Sequence, residues 1–599
     1  MVFCFFPLSR SLSIALTFTV FHVSGEIDSK RKSAVVIGCG PGGMFFLHSM
    51  EVKRGMMEEA GDTDGLERLP LVDVFEKRSE PGGVWKANRD FTQDESTDDT
   101  ETANMYEALW TNAPKESIEF YDYTFEDHFG DVDLPLYMPR QAILEYFTAR
   151  VMRKNPNIFE NVHFSTTVIS VKYNKDRKKF VVTTRNNRTK EKKITEYDKC
   201  VWAAGLEGKP NIPEEVDNVL RKESFRGNII HSSKVGNFTK YVENKRILLV
   251  GDSLSAEDLA LQAIKLGVER VYISSRSGGG AAMYHAAWPY NKVEIIEKMN
   301  VTSVIQDGLG IRLTFPNDSE VLDLNNIATV VYCTGYTEGD DMLDQDLRID
   351  VEKEYTPYTM PLGWKMKNNV LTEYMGDDIE PHPEIKCCQG YIYMDLYRNL
   401  LISNPSLFYI SHSSAMPLFE TDVYAWMSLS YIMGDIEIPT EEEMRRQNDA
   451  DVLDLMEVIE IRYLMDHNYA AVNDALNEEG KEHWSWDITD PRTLQSYMEQ
   501  DKLHIKIMAR DMRDSKYPLD IGTYEKLNKK GLQLVDNNKE GISHRTFTTD
   551  KKTFRDGDVT HSKSIFTKKV AVPLRKLWLD LEESDYDDLL GKRRQCNKL

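Results

Sequence analysis

The stretch SAVVIGCGPGG, residues 33–43, decides the fold. Ser33 to Ile37 is a short apolar run rich in β-branched residues, the pattern of a strand buried on both faces of a parallel sheet. It leads straight into Gly38-Cys39-Gly40-Pro41-Gly42-Gly43 and then into the helix-like MFFLHSMEVKRGMMEE. Strand, G-x-G-x-x-G turn and helix in that order predict a dinucleotide-binding unit. Gly38 permits the tight turn, Gly40 lets a pyrophosphate approach the backbone, and Gly43 lets helix and strand pack closely. The anion then meets the helix N-terminus, where unpaired amides and the dipole favour negative charge. Leu71 to Phe75 reads as the next strand and ends in Glu76, an acid placed to accept from a ribose 2′-hydroxyl. The gap from Gly43 to Glu76 exceeds the usual ~20 residues, and the surplus falls in the polar Glu58 to Leu69, a loop extension. A carboxylate there suits the unphosphorylated ribose of FAD. Pro81-Gly82-Gly83-Val84-Trp85 is a second glycine turn, with Val84 and Trp85 placed to pack near a flavin.

A second pattern of the same kind begins at Arg246. The strand Arg246 to Val250 is followed by Gly251-Asp252-Ser253-Leu254-Ser255-Ala256 and the helical LALQAIKLG. Here Ser255 and Ala256 replace the last glycines of the fingerprint and are still small enough for close packing, and Ser253 and Ser255 are expected to bind the nucleotide. The following strand, Val271 to Ser275, ends in Arg276 instead of an acid. A guanidinium pairs with a 2′-phosphate as a carboxylate cannot, so this unit is expected to prefer NADP. Cys200 to Gly205 and Val330 to Tyr336 each read as an apolar strand with a small-residue turn, bracketing the second unit and returning the chain to the first. The expected architecture is α/β, with two doubly wound, Rossmann-like units. A large FAD domain (33–210 and 330–440) holds an inserted, smaller NADP domain (211–329), and a largely helical extension (441–599) follows.

The chain has 599 residues and a formal net charge of -23, which repels phosphate backbones, and no basic patch argues for a nucleic-acid partner. Seven cysteines without a C-x-x-C pair argue against a zinc site or a redox dithiol, and no metal-ligand spacing stands out. Residues 1–25, with an apolar run from Leu12 to Val23, read as a secretory signal peptide cut near Gly25–Glu26, or as an uncleaved N-terminal anchor. Sequons at Asn187, Asn237, Asn300 and Asn317 are compatible with a secretory route. No later stretch is long and apolar enough to span a bilayer.

Together these motifs resemble the flavin-containing monooxygenases, specifically the trimethylamine monooxygenase type. Phe225-Arg-Gly227-Asn-Ile-Ile-His231-Ser232 is similar to a signature of class B flavin monooxygenases. Met105 to Glu116, containing Trp110 and Asn112, looks like the family's active-site segment, continuing to Phe125. Gly251 to Asp258 is similar to the trimethylamine-type second glycine loop, and Thr553 to Asp556 also fits. The resemblance implies FAD and NADPH as cofactors. It also implies oxygen transfer from O2, through a C4a-hydroperoxyflavin, to a soft nitrogen or sulfur nucleophile. It makes Asn112 the catalytic residue, its amide bonding both flavin and nicotinamide nucleotide, and puts Trp110 on the NADP side. His231 would have a structural or domain-linking role, and the segment Met416 to Trp426 would contribute to the substrate pocket. A homodimer is compatible with this reading.

Two positions depart from the family pattern: Leu254, where the bacterial trimethylamine-type enzymes usually carry Tyr, and Val235, where an aromatic residue is usual. They leave two alternatives open, a Baeyer–Villiger enzyme acting on a ketone and an uncoupled, peroxide-producing or signalling flavoprotein.

Overall fold

The computed structural model describes residues 31–86, 105, 109, 111, 118–120, 122–130, 138, 140–205, 207–236, 238–276, 292–315, 320–350, 393–410, 417–451, 510, 512 and 515–519. Two sheets organise the chain. In the first, Ser33–Ile37 lies between Leu71–Phe75 and Lys199–Trp202, parallel to both, and Val162–His163 extends one edge. Leu407–Tyr409 runs parallel beside Lys199–Trp202, and two short antiparallel strands close that edge. The second sheet is wholly parallel, in the order Val293–Glu297, Arg270–Ser275, Arg246–Val250, Ile327–Tyr332, Asn228–His231.

Side-chain alternation explains why both leading strands are apolar throughout. Ala34 and Val36 face the helices Pro41–Ala60, Arg140–Met152 and Pro417–Met433, whereas Val35 and Ile37 face the other way, toward Val168, Phe180 and Val182. In the second unit Ile247 and Leu249 pack on the Leu254–Lys265 helix, and Leu248 and Val250 pack toward Ile311, Leu313 and Leu324. Each sheet therefore carries its main helices on one face, and in the second unit the Glu214–Lys222 helix packs on the opposite face. On that opposite face lies a three-stranded antiparallel meander, residues 166–197 in the first unit and 300–324 in the second. The expected α/β architecture of two Rossmann-like units is present, and a meander covers the face opposite the main helices in each.

One expectation is corrected. The Val330 to Tyr336 segment does not simply return the chain to the first unit. Its strand, Ile327–Tyr332, sits inside the second sheet between Arg246–Val250 and Asn228–His231. It is the counterpart of Lys199–Trp202, which sits beside Ser33–Ile37 in the first sheet. An apolar strand ending in a small-residue turn is what both places require, so the sequence alone did not separate them.

The return comes just afterward. Tyr336–Glu338 pairs antiparallel with Glu207–Pro210, so the outgoing and incoming connections form one two-stranded stem. Asn211 N donates to Gly335 O at 2.9 Å and Thr334 Oγ1 donates to Asn211 O at 2.6 Å. The described C-terminal pieces lie on the first unit. Met512, Tyr517 and Leu519 join its core, and Tyr517 Oη donates to Asp62 at 2.8 Å. The signatures noted beyond residue 519, including Thr553 to Asp556, lie outside the described residues.

A buried ion pair locks the helical layer. Arg150 donates through both terminal nitrogens to Asp422, at 2.8 and 2.9 Å, and through Nε to Asp122 at 2.7 Å. Its guanidinium also lies over the Phe120 ring, 4.0 Å from the centroid. Burial pushes the Asp122 carboxyl up, but Arg150 and His48 outweigh it and hold the group well below the usual carboxylate range. Asp422→Asn leaves a buried guanidinium half-compensated and is expected to destabilise the first unit by about 3–5 kcal/mol, measured by chemical denaturation followed through tryptophan fluorescence. A loss under about 1 kcal/mol, the worth of a surface pair, would show that Asp122 alone holds Arg150.

Candidate functional site

The first glycine loop is built by backbone close approach. Gly38 has φ +100 and donates its N–H to Phe75 O at 2.8 Å. A Cβ on it would lie 2.5 Å from Ala203 O, and one on Gly43 would lie 2.1 Å from Gly38 O. Neither approach tolerates a side chain, so turn, helix start and third strand can meet only with glycine here. The second glycine turn docks on the first: Gly82 N donates to Cys39 O at 2.9 Å, and Gly83 approaches Gly40 backbone to backbone. Gly42 lies buried in the first turn of the 41–60 helix.

Glu76 closes this cradle. It is 4% exposed, and its two carboxylate oxygens accept from Cys39 N at 2.7 Å and Arg78 N at 2.9 Å. A carboxylate offers about four lone-pair sites, so capacity remains for ribose hydroxyls. Burial raises the Glu76 pKa, while the two backbone N–H groups pull it down less strongly. Cys39 acts here through its N–H, since burial and the nearby Glu76 charge push its thiol well above the ordinary range. Val84 and Trp85 sit on a short 3-10 turn, half-buried; Trp85 stands edge-on to Phe147 at 5.9 Å, and its carbonyl accepts from Arg140. Arg78 and Arg140 were not singled out in the sequence. Arg78 ties the turn by donating to Gly83 O at 2.7 Å and Lys86 O at 2.8 Å, and ordinary basic residues after a strand give no signal of this.

The second loop repeats the plan. Gly251 has φ +105, donates to Ser274 O at 2.9 Å, and would place a Cβ 2.4 Å from Cys333 O. Ser253 is the N-cap of the 254–265 helix, Ser255 stands in its first turn, and Ala256, fully buried, takes the place of Gly43. The register carries one refinement. Val250 pairs with Ser274 as Ile37 pairs with Phe75, so Ser275 is the counterpart of Glu76 and the exposed Arg276 stands one residue beyond. Leu254, 41% exposed, opens the helix, whereas Val235 is core, packed with Phe238 and Val242.

His231 joins the units. Its Nδ1 accepts from Ser233 N at 3.1 Å, which leaves Nε2 as the donor to Gly335 O at 3.0 Å. Burial lowers its pKa, in keeping with a neutral ring that holds the stem. Trp110 and Asn112 lie outside the described residues. Their described neighbours are informative: Thr111 N donates to Met138 O at 2.9 Å, Arg140 N donates to Leu109 O at 2.8 Å, and Leu109 packs against the core of the second unit. The segment thus touches both units. Within the 416–426 segment, expected to contribute to the substrate pocket, Asp422 holds Arg150, Val423 is core, and Trp426 Nε1 donates to Tyr517 O at 2.9 Å. Met416 lies outside the described residues.

Two dinucleotide cradles on one chain, joined by a paired stem, define a flavoprotein that brings a flavin and a nicotinamide nucleotide together. The model of the flavin-binding monooxygenase-like family matches residues 62–315. The chain is 28% identical over 418 residues to a trimethylamine monooxygenase of Roseovarius nubinhibens, covering 69% of this chain and 77% of that one. A dimethylaniline monooxygenase (N-oxide-forming) of Oryctolagus cuniculus is 29% identical over 250 residues, 41% of this chain and 40% of that one. Among solved structures, Tmm from Pelagibacter sp. strain HTCC7211 superposes with a TM-score of 0.58 at 23% identity, covering 87% of this chain and 92% of that one.

Both cradles fit their nucleotides, and two outcomes follow. Gly43→Val is expected to yield protein without bound flavin, seen as loss of the visible flavin absorbance band from the purified chain. Hydroxyl donors favour the ionised form of Glu76, so flavin affinity of the stripped protein should weaken as pH falls through the raised pKa of that group. In Glu76→Gln affinity drops about tenfold and the pH slope disappears, measured by fluorescence titration.

Proposed function

We propose that the protein is an NADPH-dependent flavin monooxygenase that converts small tertiary amines to N-oxides and soft sulfides to S-oxides. The observation that carries this reading is the pair of glycine cradles joined by one stem, with a segment at 109–111 tied to both units. The relatives named for amine oxygenation support the substrate class. The balance is NADPH, a proton, O2 and amine going to NADP, water and amine oxide.

Bound FAD supplies the electron transfer from NADPH and the activation of O2. The protein's own part is positional. The 41–60 helix and its loop receive the FAD pyrophosphate on backbone N–H groups, and Glu76 holds the adenine ribose. The Gly251 loop and the 254–265 helix do the same for the nicotinamide nucleotide, with Arg276 beside the strand end. His231 fixes the stem, so the second unit is held at a defined angle to the first. Trp85, edge-on to Phe147, would pack beside a bound flavin. By the family pattern, Asn112 would bond flavin and nucleotide where they meet. No described side chain is needed as an acid or base of the hydrolytic kind.

The N-terminal leader and an endoplasmic reticulum or secreted destination belong to the same proposal. Of the sequons, Asn300 is exposed, but Asn187 is buried, its amide donating to Lys77 O at 2.8 Å, and is a poor glycan acceptor.

The test uses the holoenzyme in NADPH and 18O2 with trimethylamine, dimethyl sulfide or cyclohexanone. One labelled oxygen in trimethylamine N-oxide or dimethyl sulfoxide, with NADPH consumed one for one, is the expected result. Labelled lactone would move the protein to the ketone-oxidising class. Peroxide alone, with no labelled product, would overturn the oxygenase reading. Asn112→Ala is expected to lose about 10²-fold or more in kcat while retaining FAD, as removal of an electrostatic donor does elsewhere.

A further inference from the structure

The two cradles of this chain correspond residue by residue, and they differ in where their carboxylate comes from. In the first, the acid stands at the strand end: Glu76 reaches back to the N–H of Cys39, the residue after the first glycine. In the second, the position of Glu76 is taken by Ser275 and the position of Cys39 by Asp252. Ser275 is fully buried, and its hydroxyl donates to the Asp252 carboxylate. The corner where an adenine ribose meets the second strand is therefore acidic in both units, although the acid is delivered from opposite sides. Arg276 lies one residue farther out and is exposed.

We propose that Asp252 makes the second cradle accept NADH alongside NADPH and sets the preference between them. The proposal rests on the reading of this unit as the nicotinamide nucleotide site. A carboxylate held beside the strand end accepts from the 2′- and 3′-hydroxyls of an unphosphorylated ribose, as Glu76 does in the first unit. The same charge opposes a 2′-phosphate, which carries close to two negative charges of its own. Arg276 attracts that phosphate, but an exposed guanidinium is screened by water, whereas Asp252 is half-buried and held by the Ser275 hydroxyl. Ser275, which would otherwise offer its hydroxyl to the phosphate, is already committed to Asp252. Preference is a difference between two affinities, and here attraction and repulsion for the phosphate stand side by side.

The experiment is calorimetric titration of the FAD-loaded protein with NADP+ and, separately, NAD+. The expected result is an affinity ratio below about tenfold for the wild type. Asp252→Ser should raise NADP+ affinity about tenfold and weaken NAD+, so the ratio climbs to roughly a hundredfold, while Arg276→Gln should weaken NADP+ alone. Changes of this size correspond to making or breaking one charge-assisted hydrogen bond. Asp252→Asn serves as a second, isosteric variant, with flavin retention and unfolding temperature confirming an intact cradle. A wild-type preference above about a hundredfold for NADP+, unchanged in both Asp252 variants, would overturn the proposal. Failure of either nucleotide to bind would instead overturn the assignment of the unit, and the proposal with it.

Discussion

Everything in this molecule depends on the absence of a side chain at the first glycine of each loop. At Gly38 and at Gly251 the turn runs so close to a neighbouring strand-end carbonyl, Ala203 in one unit and Cys333 in the other, that a Cβ would overlap it. That approach lets the first strand, the helix and the adjacent parallel strand converge at one point. The unpaired N–H groups of the helix start are thereby set at the carboxyl ends of the strands, where a pyrophosphate can be received. Ordinary apolar packing surrounds the arrangement and supports it from both faces of each sheet.

Once the two loops are compared, the chain is legible as one plan used twice. The first strand pairs with the second and with a later one in both sheets, and an antiparallel meander covers the face opposite the main helices. The copies diverge where their ligands differ. Gly43 becomes Ala256, and Glu76 becomes Ser275 with Asp252 opposite. Buried ion pairs tie the helical layer together, at Arg150 with Asp422 and at Lys53 with Asp435. Burial pushes Lys53 down to about 8, so the lysine is retained at some electrostatic expense.

Much of this could be read directly from the residues. Both strand–turn–helix units and the acid after the second strand followed from local patterns, because a glycine loop imposes requirements within some ten consecutive residues. What was not legible depended on pairing between distant segments. The Ile327–Tyr332 strand looked like a return to the first unit because its apolar run and terminal turn satisfy either sheet equally. Arg276 seemed to stand at the place of Glu76, since counting residues cannot reveal that the ladder gives that place to Ser275. The contacts of the 417–426 stretch were equally out of reach, since most of its described side chains answer to Arg150, Tyr517 and the helical core.

The paired stem has a consequence for how the chain is born. Its two strands bring the ends of the inserted unit, Glu207–Pro210 and Tyr336–Glu338, side by side, so that unit can close on itself as soon as it leaves the ribosome. The first unit has no such advantage. The open edge of Lys199–Trp202 must wait for Leu407–Tyr409, some 200 residues later; at synthesis rates of about 5–20 residues per second this is roughly 10–40 s. During that interval an apolar parallel strand stands without its neighbour while a finished nucleotide unit hangs from its end. The insert is the early-maturing part of the molecule and the flavin unit the late one, so a cell making this protein has to shield the older half of the chain until the younger half arrives.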